Sequence, residues 1–147
     1  HLVLARSLAN RGHFPAIDIL DSVSRVMPDI VDEKQRLASR EIIRLTAIYR
    51  DIEDLVNIGA YAPGASAEYD LAVETHSAID KFLQQRIQDS VSFDQAVHEL
   101  LELTQMIQKK ASNPSLRREA SPPVPDAAKR KQPDIGLDRM MAGLRKT

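Results

Sequence analysis

The 147-residue sequence has no cysteine, no tryptophan, and only three phenylalanines and three tyrosines. Without thiols there is neither a disulfide scaffold nor a thiolate metal site, a composition that suits a reducing cytosol. No apolar run approaches the ~20 residues that a membrane-spanning helix needs. The opening His1-Leu2-Val3-Leu4 lacks the basic start and long apolar stretch of a secretory signal. It starts on His in what reads as the middle of a strand, so a fragment or processed product is expected. His76 and His98 are lone histidines with no histidine or cysteine partner at helical spacing, and no metal site is expected.

What is present is unevenly distributed. The net charge of −1 conceals a basic end: residues 111–147 carry eight Lys/Arg against four Asp/Glu. Five of the eight prolines, Pro114, Pro122, Pro123, Pro125 and Pro133, lie in that last quarter. An acidic body joined to a basic tail marks either a solvated linker or an interaction segment. Length allows one domain of ordinary size with a core sufficient to fold.

His1–Leu4 fits a buried strand end, and Ala5–Arg11 reads as a short helix stopped by Gly12. Pro15 biases Phe14 toward an extended backbone, where its ring could stack on a ligand or simply join the core. Asp18, Asp21, Ser22, Ser24 and Arg25 follow with no strong periodicity. Arg25 among serines reads as a surface or salt-bridge residue, or as a charged fork able to clamp a phosphate in two places. Pro28 marks a boundary.

Three helices should follow. Asp32 and Gln35 form a D-x-x-Q start signal, and Ala38, Ile42, Leu45, Tyr49, Ile52 and Val56 make one apolar stripe. The opposite side, with Arg36, Arg40, Arg44, Arg50, Asp51, Glu53 and Asp54, is expected to be solvated. Gly59 ends the helix, and residues 61–66 form a turn-rich loop. A second helix is expected from Ala67 to Gln88, weakened near Thr75-His76-Ser77. Ser92 and Gln95 begin a third, with Phe93, Ala96, Val97, Leu100, Leu101, Thr104 and Ile107 on one face, ending at Lys109-Lys110.

Past Ser112 the proline-rich, basic composition predicts an extended, disordered linker over residues 112–134. Lys129-Arg130-Lys131 has no aromatic partners, so no nucleic-acid binding is expected. Leu137, Met140, Met141 and Leu144 sit at i, i+3, i+4 and i+7, predicting a short amphipathic helix over 135–147. That helix could fold into a partner's groove or fray.

The stretch HLVLARSLANRGHFPAIDILDSVSRVM resembles the end of the nucleotide-binding domain in the hexameric ATPases of flagellar and type III protein export. More distantly, it is similar to the subunits of rotary ATP synthases. The similarity continues through YRDIEDLVNIGAYAPG and fades after KFLQQ; NIGAY-x-PG leans toward the export branch. The resemblance implies a mostly α chain: the edge of a RecA-like α/β domain (residues 1–28), a three-helix bundle (29–111), and the tail. It places Phe14 against an adenine ring, Phe93 as a second adenine contact, and Arg25 as the catalytic arginine that reaches the neighbouring subunit's nucleotide. ATP with Mg is the implied cofactor, held by a part not present here. Identical subunits in a homohexameric ring, export-apparatus proteins and a regulator are the implied partners. The implied place of work is the cytoplasm, peripheral to the inner membrane at the export gate.

One departure limits the chemistry. The sequence contains no G-x-x-x-x-G-K-[ST] loop, nor the acidic residues that activate water and hold magnesium. This chain is therefore expected to be inactive alone. A competing reading makes it a non-catalytic helical interaction module that binds an export partner.

Overall fold

The computed structural model describes residues 1–112. The elements are β1 (Val3–Leu4), α1 (Arg6–Asn10), β2 (Ile17–Asp18), α2 (Met27–Ile30), α3 (Glu33–Asn57), α4 (Ala67–Leu83) and α5 (Phe93–Ala111). The expected linker and terminal amphipathic helix beyond Ser112 lie outside the described residues.

Local sequence signals set the ends of α3 and α5. The Asp32 carboxylate accepts the Gln35 N–H at 2.7 Å, satisfying one of the free amides that begin α3. Ser92 Oγ does the same for the Gln95 N–H at the start of α5. At the far end of α3, Gly59 adopts φ +70° and the Ala60 N–H folds back onto the Leu55 carbonyl at 2.9 Å. Lys109 and Lys110 sit in the last turn of α5, where the helix end is negative.

The three long helices pack against one another in every pairing. Ala38, Ile42 and Leu45 of α3, Leu71, Ala72 and Ile79 of α4, and Leu100 and Ile107 of α5 form one buried cluster. Leu45 is wholly inaccessible to solvent. Burying a side chain of this kind stabilises by about 1.5–3 kcal/mol. The buried threonines cost little, because Thr75 and Thr104 donate their hydroxyls to the carbonyls of Leu71 and Leu100 one turn back. The expected weak point around Thr75-His76-Ser77 is instead an unbroken, well-packed part of α4.

The N-terminal segment lies against α3 and α4. β1 and β2 pair antiparallel, Val3 opposite Asp18 and Leu4 opposite Ile17. α1 is shorter than expected, with Ala5 as its cap, and Gly12 turns the chain at φ +76°. The Phe14–Pro15 peptide bond is cis. The Pro28 boundary is a single helical turn, α2, with proline in the first turn, where its missing N–H goes unused.

Three further expectations are corrected. The strand end is not buried: Leu2 is 76% and Leu4 74% exposed, because among the described residues no layer covers the two-stranded ribbon. α4 stops at Leu83 rather than Gln88, since Gln84 turns extended and the Gln85 N–H is taken by the Phe14 carbonyl at 2.9 Å. Arg50 and Glu53 do not face solvent freely; both are engaged by the N-terminal segment.

Candidate functional site

The segment from His13 to Met27 is organised by one buried carboxylate. Asp18 Oδ1 accepts the N–H groups of Leu20 (2.9 Å) and Asp21 (3.2 Å), closing a turn of the kind Asp favours. Its carbonyl receives the Ser22 N–H at 3.0 Å and hydroxyl at 2.6 Å. Arg50, from α3, donates to both carboxylate oxygens at 2.8 and 2.7 Å, and also lies 3.9 Å from Asp21. Burial raises the Asp18 pKa, but the Arg50 contact and the two backbone donors outweigh it and hold the carboxyl below its usual range.

The same seam contains two further pairs. His13 Nδ1 lies 2.9 Å from Asp80 Oδ1, and Arg11 pairs with Glu53. The Tyr49 and His76 rings stack face to face with centroids 3.5 Å apart and planes 6° from parallel. Burial pushes His76 toward its neutral form, against the pull of Asp80 and Glu53. These groups surround a cavity of about 220 Å³ between the N-terminal segment and helices α3 and α4.

The residues singled out from the sequence stand elsewhere. Phe14 is 53% exposed and lines a second, open cavity of about 740 Å³ with Lys81, Gln84 and Arg86. Arg25 is exposed and has no carboxylate within salt-bridge distance among the described residues. Phe93, at the first position of α5, is 70% exposed. Neither Arg25 nor Phe93 lines either cavity, so among the described residues neither cavity gathers the three. No group of three or more His, Cys, Asp or Glu among the described residues could hold a metal ion. No described helix is long and apolar enough to cross a membrane.

Sequence reasoning missed the Asp18–Arg50 pair, His13–Asp80 and the Tyr49–His76 stack. Each joins positions more than 25 residues apart, and the helical period alone assigns Arg50 to a solvated face. The one signal was the resemblance itself: His13, Asp18, Tyr49 and Arg50 all fall inside the stretches that carry it.

The loop between α3 and α4 has its own tie. Asp70, in the first turn of α4, accepts the Tyr61 hydroxyl and the Gly64 N–H, the latter at 3.0 Å to each oxygen. Burial, reinforced by the Asp70 hydrogen bond, pushes the Tyr61 phenol well above its usual pKa. The tyrosine and second glycine of NIGAY-x-PG are thus the two donors that close this loop.

Comparison with known proteins gives this fold a context. Residues 31–102 match the family model described as the T3SS EscN ATPase C-terminal domain. The flagellum-specific ATP synthase of Treponema pallidum (strain Nichols) is 42% identical over 104 residues, which span 71% of this chain and 23% of that protein. The type 3 secretion system ATPase of Pseudomonas syringae pv. syringae is 37% identical over 107 residues, 73% of this chain and 24% of the relative. Among solved structures, the assembled ATPase EscN from the enteropathogenic E. coli type III secretion system superposes with a TM-score of 0.67 at 39% identity. That match covers 70% of this chain and 25% of EscN. EscN in complex with its central stalk EscO gives 0.65 at the same identity and coverage. The chain carries a domain homologous to the C-terminal domain of flagellar and type III export ATPases. It spans about a quarter of the length of the curated relatives it matches.

Proposed function

We propose that this chain serves an ATPase that couples ATP hydrolysis to flagellar or type III protein export, with Arg25 acting on the nucleotide of a neighbouring subunit. In this reading residues 1–28 are the edge of a RecA-like domain, and residues 29–111 are a three-helix bundle that moves with nucleotide state. Identical subunits in a ring, export-apparatus proteins and a regulator are its partners. It works in the cytoplasm, peripheral to the inner membrane.

The observation that carries the reading is the state of Arg25. It is exposed, without a carboxylate partner among the described residues, and flanked by backbone that is hydrogen-bonded on both sides. An arginine kept free on an ordered frame suits a group that must meet an anion supplied by another subunit. Its guanidinium remains charged at every working pH and can bind two phosphate oxygens at once, offsetting charge that develops on the γ-phosphate. Phe14 offers an exposed ring for stacking on adenine, and Phe93 a second. The exposure of Leu2, Leu4, Val23, Val26 and Ile30 around the ribbon supports the RecA-edge assignment, since such residues normally find cover.

The residues present do not fit magnesium or the phosphate chain. No phosphate-binding loop occurs in the sequence, so those groups belong to a part of the ATPase beyond this chain. The test is Arg25→Ala in a ring-forming polypeptide that includes the phosphate-binding domain. Turnover should fall about 10³-fold or more while nucleotide affinity stays within about threefold. Near-normal turnover would refute the assignment.

A further inference from the structure

We infer that Arg50 is a positioning residue for Arg25: it fixes the backbone frame that carries Arg25 to α3, so that helix and arginine move as one piece. The inference rests on the reading of Arg25 given above.

The connection can be followed bond by bond. Arg50 holds both oxygens of Asp18, and Asp18 in turn fixes the N–H groups of Leu20 and Asp21. The Asp18 carbonyl binds both the N–H and the hydroxyl of Ser22. Ser22 Oγ accepts the Val3 N–H at 3.0 Å, and Val23 exchanges two hydrogen bonds with His1, at 2.7 and 3.0 Å. On the other side of Arg25, Ser24 Oγ accepts the Met27 N–H at 3.2 Å. Apart from the local Ser24–Met27 bond, the series leads back to Asp18, a residue 8% exposed whose carboxylate would be costly to keep there without a counter-charge. Arg50 supplies that charge from α3, the longest helix of the structure.

Arg25 itself takes no part in the frame. A free side chain on a braced backbone is the arrangement that preorganised catalysis needs, and displacement by ~1 Å can cost about 10²-fold in rate. The geometry also explains why arginine rather than lysine stands at position 50. While one guanidinium nitrogen donates to both Asp18 oxygens, a second lies 3.9 Å from Asp21, an added approach that a single ammonium held on Asp18 would not keep.

The test is a double-mutant cycle in the full ring-forming ATPase, reading kcat, nucleotide affinity and thermal midpoint for Arg25→Ala, Arg50→Ala and the pair. Arg50→Ala should lower kcat about 10- to 100-fold with nucleotide affinity within about threefold. Arg50→Lys should recover part of that loss. The double variant should turn over at the Arg25→Ala rate, because Arg50 has nothing left to position. A merely structural Arg50 would instead multiply its loss onto that of Arg25→Ala, and this outcome overturns the inference. So does a normal kcat in Arg50→Ala when Arg25→Ala is inactive. Near-normal turnover in Arg25→Ala removes the reading of Arg25 and leaves a distinct signature. Should Arg50→Ala fail to assemble, the same cycle run with Arg50→Lys decides by the same criterion.

Discussion

From Glu33 to Ala111 the interior is built of aliphatic side chains drawn from three helices, centred on Leu45, Ile79 and Ile107. The contact between residues 1–31 and those helices is more polar: Ile19 packs against the core, but Arg11–Glu53, His13–Asp80 and Asp18–Arg50 make the named pairs across it. The first kind of contact is non-directional and scales with area; the second is directional and depends on individual atoms. A dry core resists any change of volume, whereas a polar seam can be exchanged pair by pair without opening an interior. The helical part is thus built to keep its shape, and the N-terminal segment to be held at a set angle to it.

The largest expected effect breaks the first region. Leu45→Ala should cost about 2–5 kcal/mol, because a fully enclosed side chain leaves a cavity that three packed helices cannot close. Urea denaturation followed by helical circular dichroism measures it, and a loss below about 1 kcal/mol would mean the core is less tightly packed than described.

A middle-sized effect tests the loop that joins α3 to α4. Asp70→Ala strips the Tyr61 hydroxyl and the Gly64 N–H of their acceptor and should cost about 1–3 kcal/mol. Spectrophotometric titration gives an independent readout. Tyr61 should ionise at distinctly higher pH than free tyrosine in the parent chain and move back toward it in the variant.

The smallest effect sharpens the seam. His76 has a folded pKa below its usual 6.5, so between the two values the unfolded chain binds more protons. Its contribution to stability is therefore complete above 6.5 and is lost as pH falls through the folded value. Tyr49, Asp80, Glu53, Arg11 and His13 all face this ring, and their charges set the balance against burial. His76→Phe keeps a stacking ring and should flatten the acid side of the stability profile; an unchanged slope would assign it to another group.

How far the sequence announced this structure depends on the range of the forces involved. The caps at Asp32 and Ser92 act over three residues, and both helix starts were legible to the residue. The apolar stripes of α3 and α5 were legible for the same reason, since a period of 3.6 is local information. The end of α4 was not, because Gln85 leaves the helix for the Phe14 carbonyl, a partner some seventy positions earlier. Arg50 and Glu53 were misread as solvated for a similar reason: the period marks the face correctly, and only the fold says what lies against it. The roles proposed for Arg25, Phe14 and Phe93 rest on resemblance alone, while the Asp18–Arg50 and His13–Asp80 pairs had no signature of their own.

The tie between Asp70 and the NIGAY-x-PG loop has a mechanical consequence. Because the loop borrows its acceptor from the first turn of the next helix, it is a splint rather than a joint. At ~1.5 Å per residue, Arg50 lies only about 10 Å from the end of α3. A push delivered at the loop would therefore reach Asp18 through two turns of stiff helix and one ion pair, with no slack along the way.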